Sequence, residues 1–138
     1  NGDLAIIDKR RKSGSEVVSA NIIGEVAGKT ALMVDDMITT AGTMCEAAKT
    51  LQKNGVKDVI AACTHPVLVG LAMERIAESP ISKVIVCDTI PTDGRCSPIQ
   101  QKLVELSVAE LLGEAVYRIH HNRSVSSLFR KDGSGGKR

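Results

Sequence analysis

A chain of 138 residues with 43% hydrophobic and 25% charged side chains can bury one core, which excludes a disordered protein except at its ends. Aromatics make up only 1% and the net charge is +2, so the stacking platforms and charge density of a nucleic-acid binder are lacking. No apolar stretch reaches the roughly 20 residues of a membrane span, and Cys45, Cys63, Cys87 and Cys96 form no C-x-x-C pair; reduced thiols in a cytoplasmic protein without a signal peptide are expected.

In chain order, LAII (residues 4–7) is expected as a buried strand and DKRRKSGSE (residues 8–16), rich in charge and glycine, as a mobile loop. IIGEVAGKT (residues 22–30) misses the nucleoside-triphosphate loop pattern twice. Three residues separate Gly24 from Gly28 where four are required, and the segment precedes a strand instead of following one, so AGKT is expected as a turn. TALMV (residues 30–34), VIAACT (residues 59–64) and KVIVC (residues 83–87) are expected as buried strands of a sheet covered on both faces.

Helical patterns lie between them. Thr43 is expected to cap a helix with Cys45, Ala48 and Leu51 on its inner side, ended by a left-handed Gly55. VLVGLAMERIAES (residues 67–79) supplies a second helix after Pro66. VAELLGEAVYRIHH (residues 108–121) supplies a third, capped by Ser107, with Leu111, Leu112, Ala115, Val116 and Ile119 as its buried stripe. The polar, glycine-rich KDGSGGKR (residues 131–138) is expected to be disordered. Strands alternating with helices predict the α/β class, with a mostly parallel sheet flanked by helices and ligands bound beyond the carboxyl ends of the strands.

DKRRK (residues 8–12) and DDMITTAGT (residues 35–43) both follow strand candidates and are both expected at that edge. A strand-to-helix loop offers unpaired backbone N–H groups and a helix dipole to an anion. Thr39, Thr40 and Thr43 add hydroxyl donors, while Gly42, beside Ala41, lets the backbone close on a phosphate. Helix capping and a glycine turn would account for the loop alone, but not for Asp35 and Asp36. Adjacent carboxylates repel and are suited to hydroxyl donors or a metal, so phosphate on one side and hydroxyls on the other describe a sugar phosphate. DKRRK is either solvated or a clamp for a polyphosphate. His65 reads as structural, His120 and His121 suit a helix C-terminus, and Met33, Met37, Met44 and Met73 read as core filler. No pair has metal-ligand spacing, and no Ser/His/Asp arrangement suggests itself.

DLAIIDKRR, VDDMITTAGT, THPVLVG, VIVCDTIP and SVSSLF, in this order, resemble the C-terminal half of ribose-phosphate pyrophosphokinase, also called phosphoribosyl pyrophosphate synthetase, over nearly the whole chain to Arg130. The resemblance implies a type I phosphoribosyltransferase-like domain over residues 1–130 and assembly into homo-oligomers, hexamers in the family. The implied activity is diphosphoryl transfer from ATP to the 1-hydroxyl of ribose 5-phosphate with magnesium, giving phosphoribosyl pyrophosphate and AMP.

By motif, Lys9 resembles the catalytic lysine and Arg11 its arginine partner on a flexible catalytic loop. Asp35 and Asp36 correspond to acids facing the ribose hydroxyls and the associated magnesium. Thr39, Thr40, Ala41, Gly42 and Thr43 correspond to the loop holding the 5-phosphate. Thr39 departs from the acid usual in the family and matches the threonine common in type I phosphoribosyltransferases, the alternative enzyme class. Most ATP contacts are expected in the half that this chain does not match. A ribose-phosphate-binding module or a regulatory partner of a full-length synthetase is therefore the alternative outside enzymes.

Overall fold

A computed structural model describes residues 2–12, 16–92 and 94–129, without the side chains of residues 8–12 and 16–21. Two compact units divide the chain, Asn1–Leu106 and Ser107–Arg138. The first opens with a hairpin in which β1 (Ile6–Lys12) pairs antiparallel with β2 (Glu16–Ile23), from Ile6 opposite Ile23 to Lys12 opposite Glu16. DKRRK therefore continues a strand, where a loop was expected, because the ladder to β2 pairs its backbone groups. Nor is LAII buried, since Leu4 and Ile6 are exposed and only Ile7 packs partly on the core.

A turn closed by Lys29 N–H on the Val26 carbonyl, with Gly28 at φ +71°, occupies AGKT as expected. The sheet then follows: β3 (Thr30–Met37), β4 (Asp58–His65), β5 (Ile81–Cys87) and β6 (Leu103–Leu106), in that spatial order and all parallel. Parallel neighbours require crossovers. The crossover from β3 to β4 is α1 (Gly42–Lys53), which packs against β4 and against α2 (Ala72–Ala77) in the next crossover. A 3₁₀ turn, Ser97–Ile99, packs against α2 before β6.

Helix α1 ends as its sequence predicts. Gly55 has φ +79°; its N–H donates to the Gln52 carbonyl, and that of Val56 donates to the Leu51 carbonyl. These are the paired bonds of a Schellman motif. Its beginning differs: the helix starts at Gly42 after a left-handed Ala41 (φ 58°), with no side-chain cap, so Thr43 lies inside the helix. Helix α2 is shorter than expected because the N–H groups of Leu68 and Val69 donate to the Ile38 and Thr39 carbonyls. Those long-range bonds hold residues 67–70 out of helical geometry, with Leu68 at φ 47° and buried.

The core lies on one face of the sheet. Val59, Ala61 and Cys63 of β4 and Ile81, Val84 and Val86 of β5 are buried with Met44, Cys45, Ala48, Leu51, Ala72, Ile76 and Ile99. Each fully buried aliphatic side chain contributes about 1.5–3 kcal/mol. Coverage of both faces, expected from the apolar runs, is not found among the described residues of this unit. Leu32 and Val34 of β3 and Val104 and Leu106 of β6 are exposed, because the described helices of this unit cover only the face bearing Val59 and Ala61.

In the second unit α3 (Ala109–His120) forms within the span the sequence predicts, but its cap position is Val108, with no side-chain cap. Ser107, expected as the cap, lies one residue earlier, where its Oγ accepts the Ala109 N–H at 3.3 Å. Arg118 joins the helix to the 3₁₀ turn Ser126–Phe129 by bonding Glu114 (2.6 Å), the Ser124 carbonyl (3.1 Å) and Ser127. The stripe expected to be buried is instead exposed at Leu111, Leu112, Val116 and Ile119. An amphipathic helix buries its stripe only against a second apolar surface, and the described part of this unit adds to α3 only a short 3₁₀ turn. The disorder expected of residues 131–138 lies outside the described residues.

Candidate functional site

The site forms where β3 leaves the sheet. Side chains alternate along a strand. Ala31 and Met33 turn towards the core, and the register Met33–Ala61 and Asp35–Cys63 continues that face to Asp35. Asp36 follows Leu32 and Val34 on the exposed face. Adjacent in sequence, the two acids thus leave opposite sides of one strand. Each carboxylate also accepts a local amide: Asp35 Oδ1 from Asp36 N–H at 2.9 Å, and Asp36 Oδ1 from Met37 N–H at 2.8 Å. Among the described residues no cluster of three His, Cys, Asp or Glu side chains surrounds them.

A cleft of about 160 Å³ lies beside Asp35, lined by Met37, Ile38, Thr39, Thr40, Ala41, Gly42, Thr43 and Met44. That is several times the roughly 30 Å³ share of one liquid water, room for a phosphoryl group. Asp36 is not among the lining residues. Met37, expected in the core, is exposed at the cleft, while Met44 is buried and Met33 and Met73 pack partly on the core. Apolar groups also dominate a larger groove of about 920 Å³ along β3 and α1, which reaches Asp35 and Thr43 at one end.

The first intrahelical bond of α1 runs from Cys45 N–H to the Ala41 carbonyl at 2.9 Å, and no side chain caps the helix. The N–H groups of Gly42, Thr43 and Met44 therefore face out of the helix end, where the dipole is positive. Left-handed Ala41 followed by helical Gly42 turns successive amides to one side, a concavity of the kind that accepts anions. A Cβ on Gly42 would meet only Arg75 Nη1 at 3.6 Å and Thr40 Oγ1 at 3.9 Å, ordinary contacts. Protein packing does not demand glycine there; its missing side chain leaves the loop surface open.

Residues that the sequence reading passed over hold this loop. Ile38 N–H donates to the His65 carbonyl at 3.2 Å, and Arg75 Nη1 to the Thr40 carbonyl at 2.8 Å. Arg95 fastens the neighbouring loop with Nη2 on the Pro66 carbonyl, Nη1 on the Val67 carbonyl (both 2.8 Å) and Nε on the Pro91 carbonyl (3.0 Å). Thr89 Oγ1 donates to the Thr64 carbonyl at 2.7 Å and lies 2.9 Å from His65 Nδ1. Its single proton goes to the carbonyl, which assigns the proton of that second bond to His65 Nδ1. His65 is thus bound into the strand ends. Nothing local marks these arginines in the sequence, since each partner lies across a loop crossing.

Beneath the site, burial raises the Cys63 thiol above its ordinary value, and the Asp35 carboxylate pushes the same way. Burial likewise raises Cys45 and Cys96. The backbones of Lys9 and Arg11 lie in β1, opposite Ala20 and Val17 of β2, and their side chains lie outside the description.

Curated relatives match nearly the whole chain. It is 53% identical over 131 residues to the ribose-phosphate pyrophosphokinase of Rhodopirellula baltica, covering 94% of this chain and 41% of the relative. It is 51% identical over 128 residues to that of Gloeobacter violaceus, covering 92% and 38%. The crystal structure of phosphoribosylpyrophosphate synthetase from Mycobacterium smegmatis superposes with a TM-score of 0.71 and 39% identity over 75% of this chain and 34% of that one. The chain thus spans about two fifths of the length of these curated relatives. Residues 10–130 match the family model described as the phosphoribosyl synthetase-associated domain, and the chain belongs to that family.

Proposed function

We propose that this chain is the ribose 5-phosphate-binding part of a ribose-phosphate pyrophosphokinase, with residues 1–130 acting as one domain. The observation that carries the reading is that Asp35 and the uncapped start of α1 line the same cleft of about 160 Å³. The 5-phosphate sits on the amides and hydroxyls of residues 39–43, while Asp35 accepts hydrogen bonds from the ribose hydroxyls. Asp36 reaches the sugar from the other side of the strand end. Thr39 adds a neutral hydroxyl at the rim of the cleft.

Magnesium, implied by the resemblance, commonly takes only one or two carboxylates and completes its shell with water and substrate oxygens. Asp35 suits such a share, with Asp36 as the second carboxylate. When bound, the ion would neutralise charge on substrate oxygens. Lys9 and Arg11 are proposed to stabilise the charge that develops on phosphoryl oxygens during diphosphoryl transfer from ATP to the 1-hydroxyl, which yields phosphoribosyl pyrophosphate and AMP. Four free thiols support a reducing, cytoplasmic setting. No described helix is long and apolar enough to cross a membrane. Homo-oligomeric assembly belongs to the same reading, and sedimentation velocity checks it.

Calorimetry of the chain with ribose 5-phosphate and with ribose tests the binding. Saturable heat with the sugar phosphate and none with ribose is expected; equal responses would sink the reading. Transfer is tested in a chimaera carrying this chain in place of the matching segment of the Rhodopirellula baltica relative. Lys9→Ala there is expected to lower turnover on the order of 100-fold while leaving ribose 5-phosphate binding little changed.

A further inference from the structure

We infer that Arg75 is a positioning residue for the anion-binding loop: by holding the Thr40 carbonyl it turns the Ala41 N–H into the phosphate site. The inference rests on the ribose 5-phosphate reading above and names what gives its loop the right shape. In a trans peptide the carbonyl and the following N–H point to opposite sides of one plane, and the described residues contain no cis bond. Three successive carbonyls are anchored on the protein side. Thr39 accepts from Val69 N–H at 2.9 Å, Thr40 from Arg75 Nη1 at 2.8 Å and Ala41 from Cys45 N–H at 2.9 Å. The N–H groups of Thr40, Ala41 and Gly42 are accordingly directed away from those anchors.

Two anchors are backbone groups. Arg75 is the side chain among the three, reaching from α2 to a residue 35 positions earlier. Its bond is charge-assisted and therefore stronger than a neutral one. Ala41 is also left-handed at φ 58°, a conformation that persists in a non-glycine residue only where its surroundings enforce it. Because Arg75 is exposed, its removal leaves the core untouched.

The test compares the wild-type chain with Arg75→Gln and Arg75→Lys, after circular dichroism shows equal helix content and melting temperature. Without ligand, ¹⁵N relaxation of Ala41 and Gly42 is expected to report new mobility in Arg75→Gln, with Arg75→Lys restoring part of the order. Unchanged relaxation in Arg75→Gln overturns the inference. With ribose 5-phosphate, calorimetry is expected to show about tenfold weaker binding in Arg75→Gln, a loss that persists in 0.5 M salt. A loss that disappears in salt would make Arg75 a distant charge and likewise overturn it. If the wild-type chain binds no ribose 5-phosphate, the sugar-phosphate reading fails and the relaxation arm still decides the role of Arg75.

Discussion

On the face of the parallel sheet that carries α1 and α2, Val59 is 2% exposed and Ala61, Val84 and Val86 are fully buried; on the opposite face Leu32 and Val34 stand 61% and 72% exposed. Residues of the same chemical kind, on the same strands or their direct neighbours, differ only in what lies above them. The covered face both stabilises the unit and shapes the site, because α1 and α2 bring Cys45 and Arg75 to the carbonyls of residues 40 and 41. The other face contributes Asp36 at its end and little to the core.

The sharpest break of this contrast is a charge on each face. Val84→Asp buries a carboxylate without a partner and is expected to cost several kcal/mol, comparable to the whole stability of a small domain. Val34→Asp is expected to stay within about 0.5 kcal/mol. Urea denaturation of both variants decides, and equal midpoints would erase the distinction between the faces.

A pair of lysines extends the comparison. Lys102 Nζ donates to the Ile76, Ala77 and Ser79 carbonyls at 2.9, 3.0 and 3.1 Å, closing the end of α2 on the covered side. Lys83 stands on β5 beside Val84, exposed and on the other face. Lys102→Met is expected to lose about 1–3 kcal/mol and Lys83→Met next to nothing, read as thermal midpoints.

Within the site, Gly42→Ala separates fold from ligand. The added methyl makes only ordinary contacts with the protein, and alanine favours a helix over glycine by roughly 1 kcal/mol. The thermal midpoint is expected to hold or rise while ribose 5-phosphate binds on the order of tenfold more weakly, about 1.4 kcal/mol. Unchanged affinity would show that the open loop surface at Gly42 is not where the phosphate sits.

The thiols give the mildest test. Burial raises Cys45, Cys63 and Cys96 above the ordinary 9.0. A thiol that holds its proton more tightly when folded stabilises fully below the unfolded value and loses that contribution as pH rises above it. Stability is therefore expected to fall above about pH 9. At neutral pH Cys87, the half-buried thiol, is expected to react first with a thiol reagent and the other three only after unfolding. Four equal rates would contradict the covered face.

Local chemistry made much of this protein legible. The strands around residues 59–64 and 83–87, the helix closed by Gly55 and the helix over residues 109–120 follow from runs, periodicity and a C-terminal glycine, which act within a few positions. So does the loop after Asp36, where acids, threonines and glycine stand together in the chain. The hairpin was misread because charges in DKRRK resemble a loop until β2 supplies its ladder. The helix expected over residues 67–79 was shortened by bonds to Ile38 and Thr39 that no local pattern records.

What the sequence by itself determined is the alternation of strand and helix, and the family motifs that ride on it, since both are written over short separations. Tertiary structure alone decided which face of each strand is covered, that Asp35 and not Asp36 lines the cleft beside the loop, and that Arg75 reaches Thr40. Those outcomes depend on which distant segments meet, and a side chain carries no local mark of a partner 35 residues away.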